Sequence, residues 1–501
     1  MKRFLSLILA ALILSASFTA CSEATTNDDG QGGETETAQS ASETVVETEE
    51  ETEKYIDDLP DTMDFGGTSV KFIVEDDNAT GLGKLSVYAE EDTGDVIDSA
   101  IVQRNSTVSE RLNIVIELLE SYNGGNNISS ILQKGVASGA CDFDIMSVYQ
   151  YYGIGIATSG NVYNMANLPN VDFSREYWGT DYIDNMSYKG AIYWATGDIA
   201  LKYTGGVYCT YINDEVWNNN YPEENIYDIV NEGKWTLDKL TEYAETVYTD
   251  TNGNMEKDAE DIYGFIINYE DPIDGMAAAC GVEYSQRDEN GVPYITIENE
   301  HTINVYEKLY KLIDANPNVY ISNSDGGGTQ TMQMFNNGKA MIVVQKLYHA
   351  GIFLRDMEDS YKVVPAPKYD ENQEYYMTML HDSVNCYGLP VTNTNYELMG
   401  ATLEAMASES YKVVSPAYYE KALKYKYVRD SESGQMIELI REHVTADFAA
   451  LYSNSIANIV HFFREQLSSG TENISSVFAK KEKVWNKALS KLLTGLEESA
   501  G

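Results

Sequence analysis

Residues Phe335–Val344 read FNNGKAMIVV. In TQTMQMFNNG, the segment leading into it, Met332 and Phe335 stand three apart, the spacing of one helix face. Asn337 and Gly338 are residue types that tolerate a left-handed backbone, so a helix can close there. Ala340–Val344 is an apolar run without alternation. Such a run predicts a strand covered on both faces, as in a parallel sheet. The segment that follows, QKLYHAG, is polar and aromatic. Ligands of open α/β sheets gather at the carboxyl ends of strands, which makes Gln345 and Tyr348 candidate ligand residues.

The same alternation recurs upstream. VKFIV predicts a first strand. DVIDSAIVQRNSTVSERL carries Val96, Ile97, Ala100, Ile101, Arg104 and Val108 at helical spacing. NIVIELL is a second strand, and NISSILQKGVASG repeats the helical period through Ile128, Ile131, Leu132 and Val136. FDIMSV is a third strand, followed by the irregular YQYYGIGIATSG. Elements of this length in alternation argue for parallel sheets with helices on their faces.

Further along, YKGAIYWATGD reads as a two-strand element turning at Lys189-Gly190. In KWTLDKLTEYAETVY, Thr236 can cap a helix whose buried stripe is Leu237, Leu240, Tyr243, Ala244 and Val247. YGFIIN, a helix through NVYEKLYKLI and the opening stretch continue this second series. VVPAPKYDENQEYY, with two prolines, reads as a connector. The last third is helical: ELMGATLEAMASESY, then SPAYYEKALKYKY with Pro416 in its first turn, then helices around Gln435–Tyr452 and Ser475–Leu493.

The 501 residues leave room for two or three domains and a large core. The start, MKRFLSLILAALILSASFTAC, has a charged n-region (Lys2, Arg3) and an apolar run from Phe4 to Leu14. It predicts a secretory signal, too short for a comfortable membrane span. Phe18-Thr19-Ala20-Cys21 resembles a bacterial lipobox, with Phe18 where an aliphatic residue is usual. That resemblance implies a lipidated Cys21 at the end of a signal peptide over 1–21. Ser22–Asp58 is acidic and rich in Glu, Thr, Ser, Gly and Ala, with Lys54 its single cation. It predicts a disordered, charge-stiffened linker.

Net charge is −45, and −47 once Lys2 and Arg3 leave. Counterion release from a phosphate backbone needs cations, so no nucleic acid is expected as a partner. Cys141, Cys209, Cys280 and Cys386 form no CxxC pair and are expected to be buried free thiols.

Five segments in order, GDVIDSAIVQRN, FDIMSVYQ, KWTLDKL, DTNGNMEKDAEDIYGF and FNNGKAM, resemble the extracellular sugar-binding lipoproteins of bacterial ABC importers (family 1 type). SPAYYEKALKYKYVRD resembles a long branch of that family. The resemblance runs from about Ser69 to Leu493. It implies a two-lobed periplasmic-binding-protein-like α/β fold (type II), with parallel-rich sheets flanked by helices and a helical C-terminal third. It places 66–196 plus about 375–430 in the first lobe and 197–372 plus about 431–495 in the second. The implied protein is a monomer, anchored by its lipid at the outer face of the cell membrane. It captures a mono- or oligosaccharide between its lobes and delivers it to a permease.

Sugar sites offer aromatic faces to pyranose rings and planar polar groups to their hydroxyls. The resemblance brings Tyr149, Gln150 and Tyr151 to the cleft, with Asp198 from the turn WATGD. From the second lobe it brings Tyr269, Asp271 and Asp274 of NYEDPIDG, together with Gln345 and Tyr348. His381 and Asp382 of LHDSVNCYGLP join them. Tyr149 and Tyr348 are expected on loops, free of the core.

No cofactor is required. Asp250, Asn252, Asn254 and Asp261 have the one-three-five-twelve spacing of a calcium loop, although Met255 stands at the usual glycine and position twelve is Asp. A hydrogen-bonded Asx turn is the alternative. With 79 carboxylates, pairs of Asp or Glu leave a glycoside hydrolase open as a second reading. The five histidines make no HExxH, and there is neither GxSxG nor GxxxxGK[ST]. An adhesive or chemosensory binding module is the third reading. In VFAKKEKVWNKALSKLL, lysines stand opposite a stripe of Val484, Trp485, Ala488 and Leu492, as on a solvated helix.

Overall fold

A computed structural model describes residues 55–77, 80–91, 93–123, 127–322, 328–424 and 431–500. The signal segment, Cys21 and the linker through Lys54 lie outside the described residues. The end of the expected linker is packed. Arg111 donates to both carboxylate oxygens of Asp57 at 2.8 Å, and Ser408 Oγ adds a bond of 2.7 Å. The Arg111 guanidinium also lies 3.7 Å from the centroid of the Tyr55 ring.

Among the described residues twelve strands follow in chain order: β1 (Thr68–Asp76), β2 (Ile114–Asn123), β3 (Ile145–Tyr149), β4 (Tyr208–Asn213), β5 (Tyr248–Thr249), β6 (Ile262–Ile267), β7 (Ser285–Arg287), β8 (Pro293–Ile295), β9 (Val319–Ile321), β10 (Ala340–Lys346), β11 (Tyr361–Pro365) and β12 (Asn385–Gly388). The first sheet has the order β12-β3-β1-β2, with β1 parallel to β2 and β3, and β12 returning antiparallel on β3. The second has the order β11-β4-β10-β6-β5, with β9 also on β6. β7 and β8 form a separate hairpin.

The opening stretch sits in this second sheet. Helix Thr329–Asn336 buries Met332 and Phe335, and Gly338 takes the left-handed turn (φ +69°). Every residue of β10 is buried, as its unbroken apolar run requires. Its environment is mixed, however: parallel to β6 on one side, antiparallel to β4 on the other. β4 enters the sheet two residues after the short helix Leu201–Gly205, along a segment that crosses beside Leu380.

Local chemistry explains most of the helices. Asp95 caps Val96–Leu112 by accepting from the Ile97 N–H at 2.9 Å. That helix buries Ile97, Ala100, Ile101, Arg104 and Val108 of the stripe read from the sequence, and leaves Val96 half-buried. Thr236 caps Leu237–Thr246 through the Lys239 N–H at 3.2 Å.

Four expectations are corrected. The two-strand element at YKGAIYWATGD is a tight turn closed by a single Tyr188–Ala191 bridge, with Lys189 and Gly190 both left-handed. The first part of the proline-rich connector is the edge strand β11. Pro365 ends it and contributes only its carbonyl, which accepts from Thr210 Oγ1 and Trp235 Nε1. Pro416 does not start a fresh helix. Tyr396–Glu409 runs through a π-helical turn, Ser410–Val414, into Ser415–Lys424. The wider turn accommodates a residue with no N–H to give. The helix expected near Gln435–Tyr452 breaks after Glu442 and resumes at Phe448–Leu451, capped by Asp447.

The closing helix, Ser475–Ala500, buries Trp485, Leu489, Leu492 and Leu496, whereas Val484 of the expected stripe is half exposed. Among the described residues no helix is long and apolar enough to cross a membrane. All four described cysteines are free; Cys209, Cys280 and Cys386 are buried and Cys141 is half-buried.

The lobes are joined where two crossing segments run side by side. Val207 bridges Leu380, and the His381 N–H donates to the Gly206 carbonyl at 2.9 Å. Most buried side chains form one core, but Ile97, Ile101, Leu201, Tyr348, Val414 and Tyr418 make a separate apolar cluster.

Candidate ligand cleft

The carboxyl ends of β1 and β3 face those of β6 and β10 across a cavity of about 430 Å³. On the first wall, β1 runs out at Asp77 and β3 at Tyr149. The Tyr149 hydroxyl donates to Asp77 Oδ2 at 2.8 Å. Lys202, almost fully buried, donates to the same oxygen at 2.5 Å and to the Tyr149 hydroxyl at 2.8 Å. Burial pushes the Asp77 carboxyl up, but the Lys202 charge and these donors outweigh it and hold the group well below the usual carboxylate range. Behind this trio, Glu75 accepts the Tyr149 N–H at 2.8 Å. Burial pushes its carboxyl up to about 7.

The second wall repeats the trio. Asp271, first residue of helix Asp271–Ala279, accepts from the Tyr208 hydroxyl and from Lys346 Nζ, each at 2.7 Å. Burial raises this carboxyl too, and the Lys346 charge outweighs it and pulls the group far down. His381 Nε2 stands 3.7 Å from both Asp271 Oδ2 and Asp382 Oδ1. Burial pushes His381 below its ordinary value. The floor comes from the C-terminal third. His461 stacks on Tyr151 at a centroid distance of 5.5 Å, and burial pushes it down to about 4. Arg464 Nε lies 3.3 Å from Asp274 Oδ2.

Of the residues singled out from the sequence, the fold brings Tyr149, Tyr151, Asp271, Tyr348, His381 and Asp382 to this one cavity. The others lie elsewhere. Gln150 is buried, donating to the Leu451 carbonyl at 3.0 Å and accepting from the Tyr182 hydroxyl. Asp198 is buried against Ser415, 4.0 Å from Arg441. Tyr269 donates to Asp314 at 2.5 Å. Asp274 sits behind Asp271 with Arg464. Gln345 is fully buried and packs against Gly328, because neighbouring side chains of a strand point to opposite faces. Its successor Lys346 faces the cleft. Tyr149 and Tyr348 are only 5% and 7% exposed, so neither is a free loop residue.

Sequence reading missed Asp77, Lys346, His349, His461 and Arg464, all of which line the cavity. Asp77 follows the first strand and was findable by the strand-end rule. Strand parity would have exchanged Gln345 for Lys346. Nothing local marks His461 or Arg464.

In the candidate calcium loop, Asp250 accepts the Gly253 and Met255 N–H groups, and Asp261 accepts the Thr251 N–H and the Tyr248 hydroxyl. The Asn252 and Asn254 amides donate to Asp258, and Met255 is left-handed. Among the described residues no group of three His, Cys, Asp or Glu is placed to hold a metal ion.

Compared with known protein families and with curated proteins, the chain matches none. Solved structures match it over most of its length. The GacH receptor of Streptomyces glaucescens, solved unliganded and with acarbose, has a TM-score of 0.55 at 14% identity, over 85% of this chain and 99% of that one. The chain has the two-lobed solute-binding fold. An ABC substrate-binding protein of Listeria monocytogenes in complex with cycloalternan superposes at TM-score 0.54 and 12% identity, over 85% of this chain and 99% of that one. The galacto-N-biose/lacto-N-biose I-binding protein of Bifidobacterium longum gives 0.54 at 12%, over 85% and 98%. These neighbours are binding proteins. In the two-lobed solute-binding fold, as in open α/β sheets generally, the carboxyl ends of the strands are where ligands collect, and the cavity lies there.

Proposed function

We propose that this protein is the substrate-binding component of an ABC importer and captures a carbohydrate between its lobes. One observation carries the reading. A cavity of about 430 Å³ at the lobe junction is lined by the Tyr149, Tyr151 and Tyr348 rings and by Asp77 and Asp271, each clamped by a lysine. Its volume falls in the range of small-molecule sites, about 300–1,000 Å³. Carboxylates kept ionised and immobile accept sugar hydroxyls without reorganising, and aromatic faces cover the apolar side of the ring. The names of the three neighbours, all of which bind saccharides or an analogue, support the same class.

The protein performs no covalent chemistry in this reading. It is monomeric, held at the outer face of the membrane through Cys21, and hands its sugar to a permease. A melting-shift screen with mono- and oligosaccharides is the test. A ligand at a hundred times its Kd should stabilise the protein by roughly 2.7 kcal/mol. No shift with any sugar sinks the reading, and turnover of a bound glycoside would move it to the hydrolases. The anchor is tested by Cys21→Ala, expected to release the protein or block its maturation; unchanged membrane retention removes the lipid. A structural calcium in the Asp250–Asp261 loop is a proposal from spacing alone. A melting temperature that falls with chelator and recovers with calcium supports it, and an unchanged one in metal-free protein leaves an Asx turn.

A further inference from the structure

Beside the cleft lies a second cavity of about 180 Å³. Thr80, Tyr348 and Ile352 line both, so the two spaces share a wall. Their chemistry differs. The cleft is ringed by Asp77, Asp271 and Lys346. The side cavity is walled by Leu82, Leu85 and Ile97 of the first lobe and by Leu347 of the second, with Arg355 its single charged lining residue among those described. Ile97, Tyr348 and Tyr418 belong to the apolar cluster that stands apart from the main core, and Leu82 and Leu85 pack against it.

An apolar space of this size is costly to leave empty, because its lining loses contacts on one side. An apolar cavity of about 150 Å³ accepts a benzene-sized molecule. A sugar hydroxyl placed against Leu82, Leu85, Ile97 and Leu347 would find no hydrogen-bond partner in those side chains. Resting on the carbohydrate reading above, we propose that the ligand is a glycoside: its sugar occupies the charged cleft and an apolar aglycone, aryl in size, fills the side cavity. The shared wall at Tyr348 puts the junction between the two parts at that ring.

The test is calorimetric titration with a panel of p-nitrophenyl glycosides, each beside its unsubstituted sugar. For a sugar that binds, the aryl form should bind roughly ten- to a hundredfold tighter, the gain from burying one aromatic side chain's worth of surface. An added Cβ at Gly351, which lines only the side cavity, meets no atom within 4 Å. Gly351→Leu and Leu82→Asp should each abolish the aryl gain and leave the affinity for the free sugar unchanged. The nitrophenyl absorption band of the wild-type complex should shift as for transfer to an apolar medium, a readout that needs no variant. Free sugar binding as tightly as its aryl form overturns the proposal and spares the carbohydrate reading. So does an aryl gain that survives both substitutions, or an aqueous nitrophenyl spectrum in the complex. Binding of neither form, across the panel, overturns both.

Discussion

Lys202–Asp77–Tyr149 on the first wall and Lys346–Asp271–Tyr208 on the second are the same three residue types gathered on one carboxylate, turned opposite ways. In the first, the lysine is withdrawn behind the wall, with its ammonium 4.3 Å from the centroid of the Tyr149 ring, and tyrosine and carboxylate face the cleft. In the second, the tyrosine is withdrawn, and lysine and carboxylate face the cleft. One wall therefore offers an aromatic plane and acceptors, the other an ammonium and acceptors. In the proposed carbohydrate reading, a ring between them would have one face stacked and its far hydroxyls held by charge. The lesson is that a buried ion pair acquires its role from which member the backbone turns outward.

The largest effect should come from unbalancing the first trio. Lys202→Met leaves Asp77 without its cation in a part-buried site. Stability of the unliganded protein should fall by about 3 kcal/mol, the low end for a broken buried pair because Asp77 keeps some solvent contact. Lys346→Met should cost less, since Asp271 keeps its place at the start of a helix. Denaturant unfolding of both variants checks this, and equal losses would erase the distinction between the walls.

Next in size is a pH effect confined to the first lobe. Glu75 is protonated when folded up to about pH 7 but ionises near 4.5 when unfolded. A raised folded value contributes stability below pH 4.5 that is lost as pH rises through about 7. The gap corresponds to about 3 kcal/mol. Glu75→Gln, neutral throughout, should therefore melt progressively higher than wild type between pH 5 and pH 8. Parallel curves for the two proteins would show that Glu75 is not strained by burial.

The smallest difference separates the tyrosines. Tyr149→Phe should weaken sugar binding by roughly tenfold with modest loss of stability, because the hydroxyl fixes a carboxylate on the ligand wall. Tyr208→Phe should do the reverse: affinity within about twofold of wild type, and stability reduced by about 1–2 kcal/mol, since buried Asp271 loses a donor. Titration and melting of both variants would expose any exchange of these roles.

Much of this was legible in the residues themselves. The stripe Ile97, Ala100, Ile101 and Val108 declared its helix, the run Ala340–Val344 declared a doubly covered strand, the strand-end rule pointed to Tyr348, and the family resemblance pointed to Tyr149. These are local properties, set by helical and strand periods over a few residues. Three things were decided only in three dimensions. Strand parity put Lys346 and not Gln345 in the cleft, because the register against β4 and β6 chooses which face each residue takes. The antiparallel entry of β4 followed from the crossing at Val207 and Leu380. His461 and Arg464 reached Tyr151 and Asp274 from the far end of the chain. No periodicity encodes a meeting between residues some two or three hundred positions apart; it is fixed by how the whole core packs, and packing is a property of the assembled surfaces.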